Sequence, residues 1–183
     1  WSVRIDAEDN VYICDIGLHA IFRVDADTGL MHRVAGTAGK AGHAGDGGPA
    51  TAALLNWPTD VFLDRQGNLY VADRDNHVVR LVDGATGIIS TFAGTVGSPG
   101  FAGDGGDKLS ARFSYPQNLL LDGGWLYVAD RMNHRVRRIE LATGIIATFA
   151  GSGSPAHAGE NVPALEAGLF EPVFLVKHPS GGL

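Results

Sequence analysis

Short apolar runs alternate along this chain with turns rich in Asp, Asn and Gly, and the alternation repeats in register. The first kind of run covers residues 3–6, 61–64 and 119–122, and returns once more at 174–177 without its followers. Near-continuous apolar runs of this length, bounded by turn residues, predict strands covered on both faces. A second run at 11–15, 69–73 and 126–130 follows so few turn residues later that the two form a hairpin. The third, at 19–25, 77–83 and 134–140, alternates as in Val79-Arg80-Leu81, so one of its sides is expected to meet water. It closes on Gly29, Gly87 and Gly144, which suit a turn position with positive φ. A fourth run, rich in β-branched residues, fills 30–35, 88–93 and 145–150.

Each unit is thus a four-stranded antiparallel meander. Its period follows from matched aspartates: Asp15 to Asp73 is 58 residues and Asp73 to Asp130 is 57. The units span about 1–35, 59–93 and 117–150, with the opening strand of a further unit at 173–177, and connectors at 36–58, 94–116 and 151–172. A short helix is expected within the connectors at 49–55, 107–113 and 163–169, with Pro49 suited to its first turn. A meander of this size cannot cover both faces alone, so the units stack. Radial stacking is the β-propeller solution, here all-β with about three blades, as a partial ring or half of a six-bladed one. An open solenoid or sandwich array is the alternative arrangement.

Composition agrees with a packed fold: 183 residues, 45% hydrophobic, 19% charged, with 26 glycines. A formal charge of −6 makes nucleic acid an unlikely partner, since it speaks against a broad phosphate-neutralising surface. RNA binding requires a local positive face from Arg131, Arg135, Arg137 and Arg138. No window reaches the roughly 18 consecutive apolar residues of a membrane span. A soluble chain is expected, with a secreted or periplasmic setting left open. The single cysteine, Cys14, shares its column with Ala72 and Ala129, which marks a small buried side chain. Beginning at Trp1 and ending inside a further copy of the unit, the sequence is read as a processed or partial chain.

The clearest copy, Asp64-Arg65-Gln66-Gly67-Asn68-Leu69-Tyr70-Val71-Ala72-Asp73-Arg74-Asp75-Asn76-His77-Val78-Val79-Arg80, resembles the NHL repeat of β-propellers, in its bacterial form. The connectors Ala102-Gly103-Asp104-Gly105-Gly106 and Ala44-Gly45-Asp46-Gly47-Gly48 strengthen the likeness. The third connector departs from it with Gly159-Glu160-Asn161, and the first unit has Leu18 where the pattern has Asn. The resemblance implies a ring commonly of six blades with each innermost strand along the axis. Three blades do not close such a ring, so either the natural chain is longer or two chains form a homodimeric ring.

The repeat also sorts the candidate chemistry. His19, His77 and His134 form one column at the start of the third strand, away from the axis, where hydrogen bonding within a blade is a better reading than zinc ligation. Asp15, Asp73 and Asp130 end the second strand, where a carboxylate accepts backbone N–H bonds and fixes the hairpin. Asp46 and Asp104 are weak calcium candidates, because they lack the dense oxygen ladder of a calcium loop. No nucleophile elbow or phosphate-binding loop is present. Side chains that vary between copies remain: Arg74, Asp75, Arg131 and Met132, with Trp57, Tyr115 and Phe170 before the connector prolines. Loops on a rigid scaffold are where recognition concentrates. The expectation is a non-catalytic module, without a cofactor, that binds a protein or other macromolecule. Part of a metal-dependent lyase or hydrolase is the rival reading, as the family resemblance also implies such enzymes.

Overall fold

The computed structural model describes residues 1–156 and 159–177, and within them the chain folds as three successive four-stranded sheets. The first blade holds β1 (Val3–Ile5), β2 (Val11–Asp15), β3 (Ala20–Val24) and β4 (Met31–Ala35). The second holds β5 (Pro58–Leu63), β6 (Leu69–Asp73), β7 (Val78–Val82) and β8 (Ile89–Ala93), and the third holds β9 (Pro116–Asp122), β10 (Trp125–Asp130), β11 (Arg135–Glu140) and β12 (Ile146–Ala150). Every sheet pairs its strands antiparallel in chain order. The registers superimpose as repeats: Val11 faces Val24, Leu69 faces Val82 and Leu126 faces Ile139.

The core lies between blades rather than within one. Tyr12, Cys14, Ile21 and Ala35 of the first blade meet Val61, Leu69, Val71, Val82 and Ile89 of the second. Tyr70, Ala72, Val79 and Ala93 of the second meet Leu119, Leu126, Val128, Ile139 and Ile146 of the third. Apolar area removed from water in these two seams, at about 25 cal/mol per Å², is the main force holding the blades in order. Burial also pushes the Cys14 thiol up, as expected for a cysteine used as a small hydrophobe.

The flanking surfaces are bare in comparison. Val3, Ile5, Leu30 and Met31 are exposed on the first blade, as are Phe170, Phe174 and Val176 beyond the third. The segment 173–177 forms no strand, contrary to expectation, because no described strand pairs with it. It still lies against the third blade: the Leu175 N–H donates to Asn118 Oδ1 at 2.8 Å, and its side chain packs near Leu120, Tyr127 and Val136.

The expected connector helices shrink to single 3-10 turns at Ala50–Ala52 and Lys108–Ser110, since Ala53 and Ala111 turn extended immediately afterwards. In the third connector a turn remains, with the Glu166 and Ala167 N–H groups donating to Pro163 O. The water-facing side expected for the third strand is also corrected. Arg80 and Arg137 lie on β7 and β11 at 0% exposure, held where an alternating charge reads as solvent-facing.

Candidate functional site

Both buried arginines are held by carboxylates from two directions. Arg80 reaches Asp73 on the neighbouring strand at 3.3 Å and Asp46 of the preceding connector at 2.5 Å. Arg137 repeats this with Asp130 at 3.5 Å and Asp104 at 2.6 Å, and its guanidinium lies 4.8 Å from the Phe101 ring centre. Asp46 also accepts from the Thr91 N–H and hydroxyl, and Asp104 from the Thr148 hydroxyl. These bonds occupy the two carboxylates proposed from sequence as cation ligands. Among the described residues, no three His, Cys, Asp or Glu side chains converge as a metal cluster.

The repeated aspartates reach further than the hairpin. Asp73 Oδ1 accepts the Asn56 N–H at 2.7 Å, and Asp130 Oδ1 accepts the Ser114 N–H at 2.7 Å, so each clamps the connector that enters its own blade. Asn76 and Asn133 tie the same carboxylates to Gly42 O and Gly100 O. Burial pushes the Asp73 and Asp130 carboxyls up to about 6, although N–H donors and arginine pull them down. Asp15 differs: it bonds only the local Gly17 and Leu18 N–H groups, and its blade has Leu18 and Phe22 in the Asn and Arg columns.

The histidine column joins one blade to the next. Nδ1 of His19, His77 and His134 accepts the backbone N–H of Trp57, Tyr115 and Glu171 at 3.1, 3.2 and 3.2 Å. An amide can only donate, so Nδ1 is the unprotonated nitrogen in all three. The histidines and their partners all have positive φ, a conformation that non-glycine residues adopt only under tertiary constraint. The bonds thus cross between units, not within a blade as expected, and Glu171, not Phe170, occupies the place of Trp57 and Tyr115. Burial holds His77 below its ordinary pKa, which fits a neutral acceptor.

One buried carboxylate escaped the sequence reading. Asp60, at 0% exposure on β5, accepts from Ser2 Oγ, from Arg4 Nε and Nη2, from Asn118 Nδ2 and from the Leu119 N–H. It therefore ties the inner strands of all three blades together. The column Ser2, Asp60, Asn118 held the only available signal, three unlike polar residues before an apolar run.

The varying residues do gather on one face, at the end where the inner strands begin. The Arg74 guanidinium lies 5.8 Å from the Trp57 ring centre and 4.8 Å from that of Tyr115, and it pairs with Asp75 at 3.0 Å. Arg131 pairs with Glu171, and Met132 beside it is exposed. A shallow dent of about 100 Å³ lies between Trp1, Trp57, Thr59, Arg74, Gln117 and Arg131, and Gln117 Oε1 there is buried without a partner. The four arginines expected to form a positive face for RNA do not share one: Arg137 is buried, Arg138 lies over Trp125, and Arg135 lies over Phe101.

At the opposite end, a cleft of about 740 Å³ opens between the first and second blades, walled by Arg4, Tyr12, Arg23, Phe62 and the turns at 6–10 and 64–67. Sequence reasoning assigned nothing to it.

Consecutive four-stranded antiparallel meanders, packed face to face with their first strands innermost, define part of a β-propeller. The chain carries an NHL repeat: the profile described as "NHL repeat" matches residues 55–80. It is 35% identical over 100 residues to NHL repeat-containing protein 2 of Bos taurus, covering 53% of this chain and 14% of that protein. It is 32% identical over 139 residues to Protein SUPPRESSOR OF QUENCHING 1, chloroplastic, of Arabidopsis thaliana, covering 73% of this chain and 13% of that one. The chain thus spans about a seventh of the curated relatives it matches. Among solved structures, an auxiliary nutrient binding protein from Bacteroides ovatus superposes with a TM-score of 0.61 at 27% identity, covering 80% of this chain and 36% of that one. Among the described residues no helix is long and apolar enough to cross a membrane.

Proposed function

We propose that the chain is a non-catalytic binding module, which receives a protein partner on the face carrying Trp57, Arg74, Tyr115, Arg131 and Met132. The observation that carries this reading is the Arg74 guanidinium between two aromatic rings, with exposed Met132 on the next blade. Arg, Trp, Tyr and Met are the side chains enriched where protein interfaces derive their energy. The first blade has Ile16 and Gly17 in the places of Arg74 and Asp75, so the blade itself does not require that arginine.

The test is affinity capture from cell extract with the native chain and with an Arg74→Ala, Met132→Ala double variant. A protein retained only by the native chain supports the reading; equal capture by both overturns it. Elimination or hydrolysis of a substrate by the chain supports the enzyme alternative instead.

The bare flanks of the first and third blades are further blade seams by their chemistry, since Val3 and Ile5 occupy the columns that Val61 and Leu63 bury against the preceding blade. We infer that additional blades cover them, from a longer chain or from a second copy in a six-bladed ring. A sedimentation mass of two chains favours the second copy, and a mass of one chain favours further blades in cis.

A further inference from the structure

We propose that the cleft between the first and second blades is a binding site for a small organic anion bearing carboxylate or phosphate groups. The repeat supplies the comparison. In the seam between the second and third blades, Tyr70, Phe62, Leu81 and Phe92 fill the corresponding space, with the Tyr70 and Phe92 rings edge to face at 5.1 Å. In the seam between the first and second, Tyr12 is kept, but Arg4, Arg23 and Val34 stand in the places of Phe62, Leu81 and Phe92. Two apolar side chains are exchanged for arginines and an aromatic ring for a smaller side chain. The space stays open at about 740 Å³ instead of closing, within the usual range for small-molecule sites.

The lining is rich in unspent donors. Arg4 is fixed by Asp60 through Nε at 3.1 Å and Nη2 at 2.8 Å, bonds that leave Nη1 unused. Arg23 makes a 3.5 Å ion pair with Asp25 and meets the Tyr12 hydroxyl, but its Nε is buried with no partner. Arg65 on the facing turn adds a third cation. Of the three acidic side chains in the walls, Glu8 is exposed, while Asp6 and Asp64 offer less because their oxygens are committed to turns. Asp6 accepts from the Glu8 and Asn10 N–H groups and the Asn10 amide, and Asp64 from the Gln66 and Asn68 N–H groups and the Asn68 amide. Guanidinium forks beside an aromatic ring match a planar carboxylate or a phosphate presented by a ligand larger than the bare ion. The site lies at the opposite end of the blades from Arg74 and Met132, so it does not depend on the face proposed for protein binding.

The test is isothermal titration calorimetry of the full chain with citrate and, separately, with inorganic phosphate. The comparison variants are Arg23→Leu, which copies the second blade, and Arg33→Leu, which removes an exposed arginine of the same blade. Binding of either anion, weakened at least about tenfold by Arg23→Leu and unchanged by Arg33→Leu, is the expected result. Stronger binding of citrate identifies a carboxylate ligand, and stronger binding of phosphate a phosphorylated one. A second readout needs no variant: the Arg23 Nε–H resonance of the native chain shifts on titration. Absence of heat with both anions at about 10 mM, or an equal loss in both variants, overturns the proposal.

Discussion

Replacing Arg80 with methionine removes the cation that Asp73 and Asp46 both face. The two carboxylates respond differently. Asp46 keeps its bonds to Thr91 and has 47% of its side chain exposed, so water compensates for the loss. Asp73 is completely buried and retains only the Asn56 N–H and the Asn76 amide. Removing one member of a buried pair costs roughly 3–5 kcal/mol, and the two remaining donors place the expected loss near about 3 kcal/mol. Urea unfolding at pH 7.5, with an unchanged m-value, measures it. Proton linkage supplies an internal control. Burial already holds the Asp73 carboxyl at about 6, above the unfolded value near 3.9, and removing Arg80 raises it further. A raised folded-state pKa contributes stability that is present at low pH and lost as pH rises through it. The penalty of Arg80→Met is therefore smaller at pH 5 than at pH 7.5, and an added Asp73→Asn substitution recovers part of it. A loss below about 1 kcal/mol, or a penalty that grows on acidification, refutes the buried-hub account.

Three further outcomes follow from the same geometry. His77→Asn removes an acceptor whose folded-state pKa is depressed; because such a group adds stability above the unfolded value and loses it as pH falls, the native chain's advantage over the variant in thermal unfolding shrinks from pH 7.5 to 5.5. Asp60→Ala leaves Arg4 and Asn118 without their shared acceptor and costs about 3 kcal/mol or more by denaturant unfolding, while Ser2→Ala costs about 1 kcal/mol. Gly103→Ala is destabilising by about 2 kcal/mol or more, since its Cβ would stand 2.7 Å from Ala111 Cα at a φ of +94°; Gly105→Ala, with positive φ but open space, costs less.

The blades were legible because each strand is bounded by its own turn signals and the signals recur. Gly29, Gly87 and Gly144 sit at positive φ where the third strand ends, and Asp15, Asp73 and Asp130 end the second strand as read. What the sequence concealed lies in partners far apart along the chain. Arg80 looks like the wet side of an alternating strand, and the carboxylate that neutralises it at Asp46 stands 34 residues earlier in a glycine-rich connector. A charge on a strand carries no local mark distinguishing solvent from a buried partner. The cleft between the first and second blades was hidden for a related reason: Arg4 and Arg23 belong to different strands, and only the folded seam brings them together. Their columns, Arg4, Phe62, Leu120 and Arg23, Leu81, Arg138, break the repeat without saying toward what. Arg74, Arg131 and Met132 were easier to single out, because they flank the most recognisable turns.

The binding claim is tested most directly by site-specific photocrosslinking. A benzophenone side chain is placed at Met132 on the proposed recognition face, or at Arg33 on β4 as the control, and cell extract is irradiated with each chain. A discrete crosslinked protein formed from position 132 and not from position 33, and lost when Arg74 is replaced by alanine, is the predicted result. Crosslinks of equal yield from both positions, or none from position 132 while the chain still captures its partner, contradict the assignment of that face.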